Sequence, residues 1–442
     1  MYWKYKQFTI DDATYIFCVE DFELLKISQG ENIETVLQDL QTKKEKPNSE
    51  FDVNANIDVN YDFAKNNIIN AIGIELTNGC NLDCIYCYVS ASKKTRKYLS
   101  EEKFLDILYF LKKNKYSPNV LYFTGGGEPT LNFKLLKEIP NICRQYGFDN
   151  YEFDLTTNGT ILTKEIIDFF KCNKVKLNIS LDGNEKINNE SRIYRNGKGS
   201  FKDVFSNIKI LKENKIEFAC KTVVLPDNKN LVEVFSFFEE QKIIFKFELA
   251  FKSFDSHFSP KIEYLKNFEE QLDIVIDNYR IRIENNNQIY STKIINDLKR
   301  IHYGITNEIA CGASRFGFFI DIEGRIFPCS AHTSSKDLSV GNIYKGINYE
   351  SIIENKFYAQ PVDNYTSCKT CWMKYLCSGS CFAEKWLENK NTEEPSEYLC
   401  KGYDIYWNAI IKLYTKLYPV IISGQNVNFS ANETQKNHGN KI

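Results

Sequence analysis

From Ala71 to about residue 255, short β-branched or aromatic runs alternate with segments of helical periodicity, and this alternation restricts the fold more than any other feature. Strands are predicted at 71–77, 120–124, 151–156, 176–180, 217–224 and 246–251. Helices are predicted between them at 100–114, 133–146, 163–170, 200–214 and 231–242, with Ser100 and Thr163 as N-caps. Strands joined by helical crossovers pair in parallel, so the expected class is α/β, with a sheet either open or rolled into part of a barrel. A longer helix, 262–285, is expected to close this block.

The flanks read differently. In residues 1–70, "TYIFCVEDFELLKIS" alternates like short strands, and Ile33, Val36, Leu37 and Leu40 fall at helical spacing. A polar stretch at 42–60 reads as a linker, so a small N-terminal α+β unit is expected. Residues 286–418 form a cysteine-rich extension in which turns outnumber regular elements, and 419–442 form a polar tail. Lys plus Arg number 56 against 58 Asp plus Glu, which provides no global field for nucleic acid or an anionic membrane. No apolar run approaches the ~20 residues of a membrane span, and the N-terminus lacks the apolar core of a secretory signal. A cytoplasmic location is expected, where fourteen cysteines point to metal or redox chemistry rather than disulfides.

The first strand is followed by "NGCNLDCIYCYVS", which holds Cys80, Cys84 and Cys87. A structural zinc site asks for four ligands. Three thiolates on a four-iron cluster leave one iron open to an outside ligand, and the carboxyl edge of a parallel sheet is where such enzymes place chemistry. The C-xxx-C-xx-C spacing, with Tyr86 directly before the third cysteine, resembles the radical S-adenosylmethionine (SAM) superfamily. "GGGEP" (125–129), "TTNGT" (156–160), "SLDG" (180–183) and "ESRIYRNGKGSF" follow in the order that resemblance requires. It implies a partial (β/α)6 TIM-type barrel over 71–285. One 4Fe–4S cluster would sit on the catalytic Cys80, Cys84 and Cys87, its open iron chelating SAM. Gly126, Gly127 and Glu128 would face the methionyl amino group, Arg192 would pair with its carboxylate, and Tyr86, Asn158, Ser180 and Asp182 would line the cofactor. Reductive cleavage of SAM would yield a 5′-deoxyadenosyl radical.

Seven further cysteines run Cys311, Cys329, Cys368, Cys371, Cys377, Cys381 and Cys400. Two structural zinc sites remain the alternative for them. Their spacing, and a hairpin expected to turn at Glu323–Gly324, are similar to the SPASM extension of radical enzymes that modify peptides. By that resemblance Cys368, Cys371, Cys377 and Cys400 hold one auxiliary 4Fe–4S cluster and Cys311, Cys329 and Cys381 another, making three clusters in all. Many members have an eighth cysteine just before the position of Cys311, but "RIHYGITNEIA" has none. One iron is therefore expected to be open, or closed by His302 or Glu308. Cys18, Cys143, Cys172 and Cys220 read as ordinary packed thiols.

The N-terminal unit resembles the leader-recognition element of peptide maturases, with a packing cap on the barrel as the alternative. The resemblance as a whole implies an enzyme that cross-links a ribosomally made precursor peptide, by a thioether first and a carbon–carbon bond second. An anaerobic sulfatase-maturating enzyme, forming formylglycine from Cys or Ser, is the alternative. A non-catalytic iron–sulfur or zinc protein is the reading from a different class. The implied partners are a precursor peptide with its leader and an electron donor such as flavodoxin or ferredoxin, with neither nucleic acid nor membrane.

Overall fold

The computed structural model describes residues 5–10, 12–19, 22–28, 30–37, 69–225, 230–250, 258–389 and 394–422. Three strands open the chain: β1 (Tyr5–Ile10), β2 (Ala13–Cys18) and β3 (Glu23–Ile27). They form an antiparallel sheet in that order. β1 lay outside the expected strands. Residues 33–37 are helical, and Leu37 packs with Ile16, Cys18 and Ile27 under the sheet. Leu40 and the expected linker lie outside the described residues. From the sheet and its turns, Phe8, Phe17, Val19 and Phe22 join the main core. Phe8 meets Trp372 edge-on at 6.2 Å, and Lys6 lies 3.7 Å from Asp404. The unit is thus seated on the residue after Cys371 and on the long C-terminal helix Glu397–Ile422.

The six expected strands are β4 (Ala71–Ile74), β5 (Val120–Phe123), β6 (Glu152–Thr157), β7 (Val175–Ser180), β8 (Phe218–Val224) and β9 (Phe245–Leu249). All neighbours among them pair in parallel. The chain then adds β10 (Gly317–Ile320), β11 (Arg325–Phe327), β12 (Gly341–Asn342) and β13 (Gly346–Ile347). β10 pairs in parallel with β4, and the last three are antiparallel additions, giving a ten-stranded sheet ordered β13-β12-β11-β10-β4-β5-β6-β7-β8-β9. Its two ends do not pair, so the sheet is mixed and open. Strands β10 to β13 of the cysteine-rich extension are therefore continuous with the parallel sheet. The hairpin turn falls where expected, and Gly324 takes φ +81°, a conformation a side chain would strain.

The helices follow the expected pattern with informative differences. Ser100 caps Glu101–Lys113 by accepting from Lys103 N at 3.1 Å, and Phe104, Ile107, Leu108 and Leu111 face the sheet. The single helix expected at 133–146 is two, Phe133–Leu136 and Ile139–Gln145, because Pro140 enters at the start of the second. The chain after residue 285 is more regular than its composition suggested. It contains Thr292–His302 and the 26-residue helix Glu397–Ile422, which runs into the first residues of the expected tail.

Period-two alternation gives the parallel sheet two unlike faces. Phe153, Leu155, Leu177, Ile179, Phe245 and Phe247 are buried on one. The other carries Glu152, Asp154, Lys176, Asn178, Lys221, Lys246 and Glu248. Lys176 pairs with Glu152 at 2.8 Å, and Asn178 Nδ2 donates to Asp154 at 3.0 Å. A face lined with charge is not a packed core.

Candidate active site

β4 delivers the chain into the loop that carries Cys80, Cys84 and Cys87 at the carboxyl edge of the sheet. The loop is held by neighbours from the next three strands. Gly127 N donates to Thr77 O at 2.7 Å, and Glu128 N to Gly79 O at 3.0 Å. A Cβ on Gly127 would overlap the Gly79 backbone, and one on Gly126 would overlap the Glu75 carboxylate. Gly127 is thus required where its segment presses on the cysteine loop, and Gly126 where it presses on Glu75. The buried Glu128 carboxylate accepts from Thr130 N, Thr130 Oγ1, Thr157 Oγ1 and Asn158 N, tying β5 to β6. Asn158 Nδ2 reaches Cys80 Sγ at 3.7 Å and Asn81 Oδ1 at 2.8 Å. Burial pushes the Cys80 thiol up to about 11 and Cys84 to about 12, so as bare thiols both stay protonated.

The third wall is a buried knot at the end of β7. Asp182 accepts from Tyr86 Oη, from Ser191 Oγ at 2.8 Å and from Val223 N at 3.0 Å. Arg192 Nε lies 3.2 Å from Asp182 Oδ2 without aiming its hydrogen at it, and Nη1 lies 3.7 Å from Cys84 Sγ. The guanidinium also covers the Tyr86 ring at 5.6 Å. Tyr86, Asp182 and Arg192 are one interlocked unit whose remaining guanidinium edge faces the cysteine loop. Ser180 is half-buried at the last position of β7.

The seven later cysteines separate into two sets in space. Cys377 lies within electrostatic reach of Cys400, Cys368 and Cys371, and Cys400 within reach of Cys368 and Cys371. Cys329 lies within electrostatic reach of Cys381 and Cys311, and Cys381 within reach of Cys311. Among the described residues no group of three or more His, Cys, Asp or Glu is placed to hold a single metal ion. A cubane asks for something else, one thiolate per iron spread round its corners, and sets of three, three and four half-buried or buried thiols suit that requirement. Tyr88, beside Cys87, feels the charges of Cys329 and Cys381, and its Oη lies 3.2 Å from Ser330 Oγ. The three-thiol auxiliary set therefore approaches the first cysteine loop.

Of the two residues expected to close that set, His302 is exposed, with Nδ1 3.2 Å from Tyr414 Oη, and Glu308 is exposed too. The imidazole there is His332, which sequence reasoning missed although it follows Cys329 by one helical turn. Its Nδ1 lies 3.1 Å from Cys329 Sγ, it is 1% exposed, and Phe357, Phe382 and Trp386 surround the ring. Burial pulls its pKa down to about 3, so the ring is neutral.

Comparison with known proteins places this geometry. A profile described as "Radical SAM superfamily" matches residues 74–238. An uncharacterized protein, MJ0907, of Methanocaldococcus jannaschii is 36% identical over 202 residues, 45% of this chain and 67% of the relative. The chain belongs to the radical SAM superfamily. A cysteine-type anaerobic sulfatase-maturating enzyme of Clostridium novyi is 26% identical over 327 residues, 70% of this chain and 86% of the relative. Streptococcus suis SuiB bound to precursor peptide SuiA shares the fold, with TM-score 0.52 at 15% identity over 89% of this chain and 100% of that one. This radical SAM protein is an iron–sulfur enzyme with SPASM-type maturases among its relatives. No helix among its described residues is long and apolar enough to cross a membrane.

Proposed function

We propose that this radical SAM enzyme installs a cross-link in a ribosomally made precursor peptide, by a thioether first and a carbon–carbon bond second. The observation that carries the reading is the N-terminal sheet. It docks beside Cys371 through Phe8 and Trp372, and among the described residues no strand pairs with the outer edge of β3. An unpaired edge accepts an extended leader through backbone hydrogen bonds. The leader would then deliver the core peptide toward the charged inner face of the sheet.

In this reading Cys80, Cys84 and Cys87 hold a 4Fe–4S cluster, and the other seven cysteines hold two more. When bound, SAM and a cluster on Cys80, Cys84 and Cys87 would supply the means to take a hydrogen atom from a substrate carbon, and an auxiliary cluster would supply an acceptor for the electron released when the substrate thiol gives up its proton and joins that carbon. The protein's own contribution is placement. Arg192 holds the cofactor carboxylate with the guanidinium edge that Asp182 leaves free, and Tyr86 keeps that edge oriented. Flavodoxin or ferredoxin supplies the electron, and the enzyme works in the cytoplasm.

A second reading, formylglycine formation on a sulfatase, is favoured by the 26% identity to the sulfatase-maturating relative. Co-expression with any short Cys-containing peptide found encoded beside this gene, and separately with a sulfatase-derived peptide, separates the two. A thioether removes two hydrogens from the peptide and blocks alkylation of the cysteine, whereas a carbon–carbon bond removes two hydrogens and leaves the thiol reactive. A sulfatase-derived peptide that exchanges its cysteine sulfur for oxygen and also loses two hydrogens, with the short peptide unchanged, would overturn the proposal in favour of the second reading.

A further inference from the structure

A lysine is buried between the two auxiliary cysteine sets. Lys385 is 1% exposed and lies on the helix Phe382–Asn389, which starts directly after Cys381. Its Nζ stands 3.2 Å from the centroid of the Tyr365 ring, and a Cβ built on Gly379 would lie 3.6 Å from it. Tyr365 packs against Cys368 of the four-thiol set. Gly379 lies in the chain between Cys377 of that set and Cys381 of the other. The ammonium therefore sits in the wall the two sets share. The groups that interact with its charge are Cys368, Cys377 and Cys400 on one side, Cys381 and Cys311 on the other, and the adjoining Glu384, whose carboxyl burial pushes up to about 7.

A buried ammonium needs anionic neighbours, since it has lost the water that stabilised it. Neutral thiols do not meet that need. Cluster-bound thiolates do, and the residue thereby joins two sites that the sequence treats separately. A cluster becomes more negative when reduced, so a fixed cation beside it favours the reduced form. We propose that Lys385 is an electrostatic residue common to both auxiliary clusters, raising the reduction potential of each so that both serve as electron acceptors. This rests on reading the seven cysteines as two cluster sites.

The test compares Lys385→Met and Lys385→Gln, which remove the charge, with Lys385→Arg, which keeps it. Each full-length protein is reconstituted anaerobically, its iron is counted, and its clusters are titrated potentiometrically with detection by electron paramagnetic resonance. Expected are full iron content, a lower potential for both auxiliary clusters in the neutral variants, and values near wild type in the Arg variant. The cluster at Cys80, Cys84 and Cys87 should not shift in any of them. A fully loaded neutral variant in which either auxiliary potential is unchanged overturns the proposal, as does an Arg variant as low as Met. Loss of iron from both neutral variants but not from Arg would make the charge a requirement for assembly and equally overturn the tuning role. A wild-type protein that loads a single cluster refutes the two-site reading instead, so the two failures are distinguishable.

Discussion

Asp182→Asn keeps the shape of the side chain that anchors the cofactor wall and deletes its charge. Arg192, 8% exposed, then keeps the Cys84 sulfur and the Tyr86 ring as close partners for its cation but no anion among them. Breaking one side of a buried pair costs about 3–5 kcal/mol. The asparagine oxygen can still accept from Val223 N, but Tyr86 and Ser191 lose a charged acceptor, which pushes the loss toward the upper end. Arg192→Met should cost less, about 1.5–3 kcal/mol, because three donors still surround the carboxylate. The double variant should be at least ~2 kcal/mol more stable than the sum of the singles predicts. Anaerobic urea unfolding at matched iron content measures all four corners of the cycle. Additivity within ~0.5 kcal/mol would show that the two charges do not act as a pair.

Two further outcomes follow from buried titratable groups. Burial holds Glu75 at about 7, with Asp321 adding to the rise and the Ile322 N–H, Lys94 and Arg325 opposing it. Because the folded value lies above the ordinary 4.5, the stabilisation is full below pH 4.5 and is lost as pH rises toward 7, on the order of 3 kcal/mol. Glu75→Gln should flatten stability across that window, and an unchanged slope would assign the pH dependence elsewhere. His332→Phe, which keeps the packing and removes the nitrogen at Cys329, should alter the resonance spectrum of one auxiliary cluster, while His302→Ala leaves every cluster unchanged. The reverse pattern would return the missing ligand to His302.

What the sequence disclosed depended on the range of the interactions involved. The six parallel strands and the cap at Ser100 are written in local periodicity and hydrogen bonding, and they appear within a residue or two at most ends. The turn at Gly324 was legible because one residue there needs a positive φ. The pairing of β10 with β4 joins Gly317 to Ala71 and leaves no local signature. The helix Glu397–Ile422 was obscured because Cys400 drew attention to ligation rather than to the buried Leu399, Tyr406, Ile410 and Leu413 around it. His332 did have a signal, its spacing from Cys329, but the fourth donor was expected where the eighth cysteine would stand, just before Cys311. Lys385 had none, since its burial depends on two loops closing over it.

The most direct test of radical chemistry at Cys80, Cys84 and Cys87 is SAM cleavage by anaerobically reconstituted protein under dithionite. Wild-type protein should carry about 12 iron and form 5′-deoxyadenosine. The variant with all three cysteines replaced by Ala should form none while keeping about eight iron on the later cysteines. Cleavage by that variant at the wild-type rate, or wild-type protein with about four iron and two zinc, would contradict the assignment.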